Sequence, residues 1–326
     1  MGPVSALDRD PREVTCAAGP AAGVEVLTPR EVPLGGPRAM TVRRTLPSRE
    51  RSLIGAWCFV DHYGPDTTTM KVAPHPHTGL QTVSWLFTGE IEHRDSAGHH
   101  AMVRPGEVNL MTAGRGISHS EVSTAASTTL HGAQLWVALP DHARDDAPAF
   151  AHHAPHPVRR SGYEARVFLG SLLGETSPVA TATPLLGAEL CLDAGARVSL
   201  DVDPGFEHGV LVDTGSVAVA GHDAAAHDLV YVPPGAGHLD LTAGDEPVRL
   251  LLLGGPPFGE SIVMWWNFVG RTHEEVVAFR AEWQAQVTGG ADGTTYVDGR
   301  FGIPVGDALA PIPSPEMPHV RLRERR

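Results

Sequence analysis

The sequence predicts an all-β fold in two tandem units, followed by a single helix near the C-terminus. Short runs of strand-like alternation recur between Gly, Pro, Asp and Asn, one segment repeats in both halves, and a capped helical pattern comes after them.

Residues 1–22 are rich in Ala, Gly, Pro and charge without periodicity, so they are expected to be disordered. The first unit, 23–140, carries strand-like runs at 57–61, 82–88, 91–93, 108–112 and 134–139, a spacing that suits a barrel or sandwich. Pro148, Pro155 and Pro157, set among several histidines, make 141–162 read as a surface linker. A second β-rich unit occupies 163–256. In 257–290, Thr272-His273-Glu274-Glu275 forms a capping box with Thr272 as N-cap, and a helix is expected to run to about Gln286. Val276, Val277, Phe279 and Trp283 fall at helical spacing, which directs that helix onto a barrel face or the seam between units. Trp265 and Trp266, just before it, read as core or seam residues. Residues 291–326 read as a tail, with Arg321, Arg323, Arg325 and Arg326 solvated.

The repeat pairs the segment from Leu110 to His119, LMTAGRGISH, with the segment from Leu229 to His238, LVYVPPGAGH. Each is a strand, a tight turn and a histidine, and internal duplication accounts for both.

Composition excludes several classes of function. A net charge of −13 opposes binding to phosphate backbones, so no direct nucleic-acid partner is expected. No apolar run reaches the roughly 18–20 residues of a membrane span, and no secretory signal opens the chain, so a cytoplasmic location is expected. Cys16, Cys58 and Cys191 have no paired spacing and read as reduced and inert.

Two alternating pairs carry the chemistry: His75-Pro76-His77 and, 42 positions after His77, His119-Ser120-Glu121. Residues i and i+2 of a strand share a face, so each pair aims two ligating side chains into one pocket. His75, His77, His119 and Glu121 are therefore the candidate ligands of one divalent metal. Pro76 holds His75 extended, while Gly114 and Gly116 permit the turn that returns His119 to the pocket. His99 with His100 and His152 with His153 are adjacent pairs pointing to opposite faces, which makes them poor ligands.

The segment from Pro74 to Val83, PHPHTGLQTV, the segment from Met111 to Glu121, MTAGRGISHSE, and the segment from His131 to Val137, HGAQLWV, together resemble the pirin family. The resemblance covers about residues 24–287. It implies two tandem cupin (double-stranded β-helix) barrels, the first holding one metal, usually iron, on His75, His77, His119 and Glu121. Gln81 departs from the pattern, since many pirins carry Glu there; the substitution should spare the metal and alter the groups around its ligands. In the second barrel His238 matches a cupin ligand position, but the segment ending at His208 lacks the His-x-His pair, so a barrel without metal is expected.

Three imidazoles and a carboxylate leave an octahedral divalent ion two open positions, for substrate and dioxygen, and favour Fe(II). Among pirins the resemblance implies a quercetin 2,3-dioxygenase, which opens a flavonol ring with dioxygen; Glu121 would be the catalytic base and a small aromatic molecule such as a flavonol the substrate. The alternative it implies is a non-catalytic, iron-dependent redox sensor or regulator that acts through a protein partner.

Overall fold

The computed structural model describes residues 23–33, 40–67, 69–288, 297 and 299–325. The segment expected to be disordered, 1–22, lies outside the described residues. Strands β1 Glu25–Leu27, β2 Arg30–Pro33, β3 Thr41–Leu46, β4 Trp57–Asp66, β5 Lys71–His77, β6 Leu80–Thr88, β7 Ile91–Asp95, β8 His100–Val103, β9 Val108–Thr112, β10 Ile117–Ser123 and β11 Leu130–Ala138 belong to the first half of the chain. They are followed by β12 Ala149–His153, β13 Val158–Arg160, β14 Tyr163–Leu169, a small hairpin of β15 Ser171–Leu172 and β16 Glu175–Thr176, and β17 Leu186–Leu192. Then come β18 Arg197–Asp201, β19 Glu207–Thr214, β20 Val217–Val219, β21 His222–Ala224, β22 Leu229–Val232, β23 His238–Ala243, β24 Val248–Gly255, β25 Val263–Trp265, β26 Phe268–Gly270 and helix α1 His273–Thr288.

Two barrels are built to one plan. The first sheet of each runs β12-β9-β6-β11-β4-β3-β2 and β1-β22-β19-β24-β17-β14-β13; the second runs β5-β10-β7-β8 and β18-β23-β20-β21. Shifting the first barrel's β4 to β11 by thirteen strands gives β17 to β24 in the same spatial order, which is the duplication expected from the repeated segment. All sheet pairings are antiparallel, and their inward faces alternate with outward ones, as in the buried-exposed-buried pattern of β23.

Residues 141–162 differ from the expected linker. β12 pairs with β9 and β13 with β14, so the segment supplies an edge strand to each barrel. Prolines flank β12 rather than interrupt it, so its N–H groups stay available to the open edge of β9. At the other end of the fold β1 pairs with β22, which places the first described strand in the second barrel.

One hydrophobic cluster joins the barrels, with Trp57, Trp85, Leu135, Phe168, Tyr231 and Leu251 all buried in it. Trp85 stacks on Phe168 at 4.5 Å between ring centroids, and Trp57 Nε1–H donates to Gly254 O at 3.2 Å. Helix α1 is capped as expected: Thr272 Oγ1 accepts the Glu275 N–H at 3.1 Å, and the Glu275 carboxylate accepts the Arg271 N–H at 2.6 Å. Its buried face is Val276, Trp283, Gln286 and Val287, packed on Val263, Phe268 and Phe301, whereas Val277 points outward.

The tail's backbone is docked while Arg321 and Arg323 stay exposed, and Arg326 lies outside the described residues. Arg321 pairs with Glu274, the Leu322 N–H donates to His273 Nδ1 at 3.1 Å, and Ile262 and Arg325 exchange two backbone hydrogen bonds. No helix among the described residues is long and apolar enough to cross a membrane.

Candidate metal centre

The two ligand pairs lie on adjacent antiparallel strands. β5 is an edge strand, which tolerates Pro74 and Pro76, and its His75 sits opposite His119 of β10. Glu121 pairs in regular register with His93 of β7, while a bulge in β5 sets it opposite Val72 on the other side. The turn after β5 holds Gly79, whose φ of +65° and close approach to Val269 admit no side chain: an added Cβ would lie 2.3 Å from Val269 O. Gly114 is equally constrained, with a φ of +52° and an added Cβ 2.0 Å from Asp146 O, and its carbonyl accepts the Gly79 N–H.

His75, His77 and His119 converge, with ligating atoms within 4.8 Å of one another. Glu121 does not join that group; it forms a second one with His119 and His93. His75, His77, His119 and Glu121 nevertheless line one cavity, along with Phe59, Tyr63, Gln134, Trp136 and Trp266. Phe59 and Trp136 stack face to face at 4.0 Å and make a flat apolar wall.

Tautomers can be read from the partners. The Nδ1–H of His75 donates to Ala73 O at 2.9 Å and that of His77 to Asn267 O at 3.2 Å; a carbonyl only accepts, so both Nε2 atoms carry lone pairs. His93 Nε2 faces the Asp95 carboxylate at 3.4 Å, and His93 Nδ1 faces His119 Nδ1 at 3.3 Å. For neutral rings this chain forces a donor at His93 Nε2, then a donor at His119 Nδ1, and a lone pair at His119 Nε2. That atom lies 3.1 Å from His77 Nε2, so the two lone pairs face each other. Two opposed lone pairs repel unless a cation lies between them, so the donor set fits a divalent metal.

Electrostatics agree. Burial holds the His75 imidazole down to about 4, with the bond to Ala73 O opposing it. Burial also holds His77 and His119 well below the ordinary histidine range, so all three rings stay neutral and able to bind metal. Burial raises the Glu121 carboxyl, against the opposing influences of His93 and the Ser84 hydroxyl, whose Oγ–H lies 3.4 Å from Oε1.

Sequence reasoning missed His93, Trp266 and Ile312. His93 is nearly fully buried and carries the relay to Asp95, whose carboxylate also accepts the N–H groups of Ala97 and His99. Its H-x-D spacing on a predicted strand was the available signal. Trp266, expected as a core or seam residue, lines the cavity from a backbone at φ +52°. Gln81 Nε2–H donates to Thr112 Oγ1 at 2.9 Å, and no bond from Gln81 reaches the ligands among the described residues.

The second barrel brings no such group together. His238 is 69 % exposed and pairs with Asp201 at 2.8 Å, while His208 is buried elsewhere with its Nε2 unpartnered. A further trio, His62, His131 and Asp213, bridges the barrels: both Nε2–H groups donate to Asp213 Oδ1 at 2.6 Å. Arg249 already holds Oδ2 at 2.5 Å and approaches His131 Nδ1 at 3.3 Å, so a guanidinium supplies the charge a metal would bring. This trio is a polar latch between barrels. Cys58 is buried with its thiol pushed up to about 12, as expected of an inert cysteine.

The comparisons with known proteins agree with this architecture. The Pirin family matches residues 39–137 and the Pirin C-terminal cupin domain matches residues 187–289. A Pseudomonas aeruginosa protein named "Putative quercetin 2,3-dioxygenase" is 44 % identical over 263 residues, covering 79 % of this chain and 82 % of its own. A Caulobacter vibrioides pirin-like protein is 33 % identical over 288 residues, covering 84 % and 94 %. The crystal structure of a quercetin 2,3-dioxygenase from Acinetobacter baumannii superposes with a TM-score of 0.85 at 37 % identity, covering 93 % of this chain and 98 % of that one. With both barrels matched and the relatives aligned along most of their length, this chain belongs to the pirin family.

Proposed function

We propose that this chain is a metal-dependent dioxygenase that opens the ring of a flavonol such as quercetin, with Fe(II) held by His75, His77, His119 and Glu121. The observation that carries the reading is the pair of opposed lone pairs on His77 and His119, whose Nε2 atoms lie 3.1 Å apart in the lining of an aromatic-walled cavity. The names of the Pseudomonas and Acinetobacter relatives support the substrate class. A bound iron supplies Lewis acidity toward the substrate's 3-hydroxyl and access to dioxygen chemistry.

The chain does the rest. Ala73, Asn267 and the His93–Asp95 relay fix the orientation of the three rings, which limits the rearrangement needed when metal arrives. Phe59 and Trp136, stacked on one another, give the cavity an aromatic lining that excludes water. Glu121 is the base for the 3-hydroxyl proton once it loosens from the metal: its raised pKa strengthens it, and its place beside His93 and His119 rather than with His75 and His77 gives it somewhere to swing. The test is anaerobic reconstitution with Fe(II), then quercetin and oxygen. Oxygen-dependent loss of the flavonol absorbance is expected, and its absence at full metal occupancy overturns the reading.

One observation favours the alternative of an iron-dependent regulator: the cavity is only about 100 Å³. In that case Fe(II) and Fe(III) forms of the protein should capture different partners in a pull-down, and identical partner sets would count against it.

A further inference from the structure

One wall of the metal pocket comes from the far end of the chain. Ile312 lines it beside Trp266 and Asn267. The Ile312 N–H donates to Pro74 O at 2.8 Å, one residue before the candidate ligand His75. Three bonds tie the same stretch to α1: Trp283 Nε1–H to Ile312 O at 2.9 Å, Arg280 Nε–H to Pro315 O at 2.7 Å and Ser314 Oγ–H to Gln284 Oε1 at 3.0 Å. Pro311, Pro313 and Pro315 alternate with Ile312 and Ser314. Proline fixes its own φ and has no N–H, so the stretch is stiff and cannot zip onto the edge of β5 as another strand. Among the described residues it meets that strand through the backbone bond at Ile312.

The space beneath it is about 100 Å³. Sites that bury drug-sized ligands measure roughly 300–1,000 Å³. A diatomic gas fits under Ile312 as the stretch lies, and a three-ring flavonol does not. We infer that residues 311–315 form a displaceable strap that sets the size of ligand admitted to the pocket, with Ile312 as the specificity-determining side chain. The identity of the large ligand rests on the proposed function; the size filter is a property of the strap.

The experiment uses full-length protein loaded with Fe(II) under anaerobic conditions. Nitric oxide, read by the paramagnetic resonance of its iron complex, is the small probe, and quercetin, followed by rapid-mixing absorbance without oxygen, is the large one. Ile312→Gly removes the covering side chain; Trp283→Phe removes the indole donor that holds the Ile312 carbonyl. The nitrosyl signal is expected to be equal in all three proteins, and quercetin association at least tenfold faster in both variants. In the unaltered protein, quercetin should accelerate hydrogen exchange at the Ile312 amide. A full nitrosyl signal with unchanged quercetin association in Ile312→Gly overturns the strap alone. A protein that takes up no iron and gives no nitrosyl overturns the metal centre, and the strap inference falls with it.

Discussion

Protons and metal compete for the same Nε2 atoms, and burial of the rings should tilt that competition toward metal. An imidazole of ordinary pKa, about 6.5, is protonated roughly ten to one at pH 5.5, so three such ligands would cost a metal site about a thousandfold in affinity relative to pH 7.5. His75, held down to about 4, is only about 3 % protonated at pH 5.5. His77 and His119 are depressed well below the ordinary value by the same desolvation. Imidazole protonation should therefore cost less than about twofold over that range. Glu121 acts in the opposite sense: its carboxyl is raised, so binding releases at most one proton, about tenfold per pH unit. The expected loss from pH 7.5 to 5.5 is thus no more than about a hundredfold, shrinking to about twofold in Glu121→Gln. Anaerobic Co(II) titration against a competing chelator at several pH values measures it. A loss near a thousandfold in Glu121→Gln would refute the neutral, desolvated histidine triad.

Further outcomes follow from the same geometry. The metal-free fold should lose stability as pH falls from about 6.5 toward 4, because His75 and His208, both held to about 4 by burial, bind protons more readily when unfolded; denaturant melts at pH 7 and pH 5 check it. Asp213→Asn leaves Arg249, His62 and His131 without their carboxylate and should destabilise the protein by about 3–5 kcal/mol, read by chemical denaturation. A loss below about 1 kcal/mol there would contradict the latch. His93→Leu removes the acceptor that fixes the His119 ring and should weaken metal binding by roughly 10–100-fold without removing a proposed ligand.

Much of the centre was legible because strand alternation is local information. His75 with His77 and His119 with Glu121 needed only the period of two, and the register that sets His119 opposite His75 then joins the pairs. The register that sets Glu121 opposite His93 was not legible, nor was the bulge in β5 that sets it opposite Val72 on its other side. Strand 108–112 was placed to the residue, whereas β12 was hidden because prolines on either side of 149–153 mimic a loop and its partner edge lies 40 residues earlier. Trp266 and Ile312 reach the pocket only through the docking of α1 and the tail on the first barrel, contacts that span up to 238 positions between Pro74 and Ile312 and leave no periodic trace.

The strand exchange at β1 has a consequence for biosynthesis. Residues 25–27 leave the ribosome first, yet their partners at 229–231 emerge some two hundred residues later. At roughly 5–20 residues per second, that strand waits ten seconds or more without its mate. Cutting the gene between the barrels would deprive the downstream fragment of an edge strand and expose the flank of β22. Fragments bearing that flank should therefore aggregate unless a peptide matching 23–33 is supplied in trans.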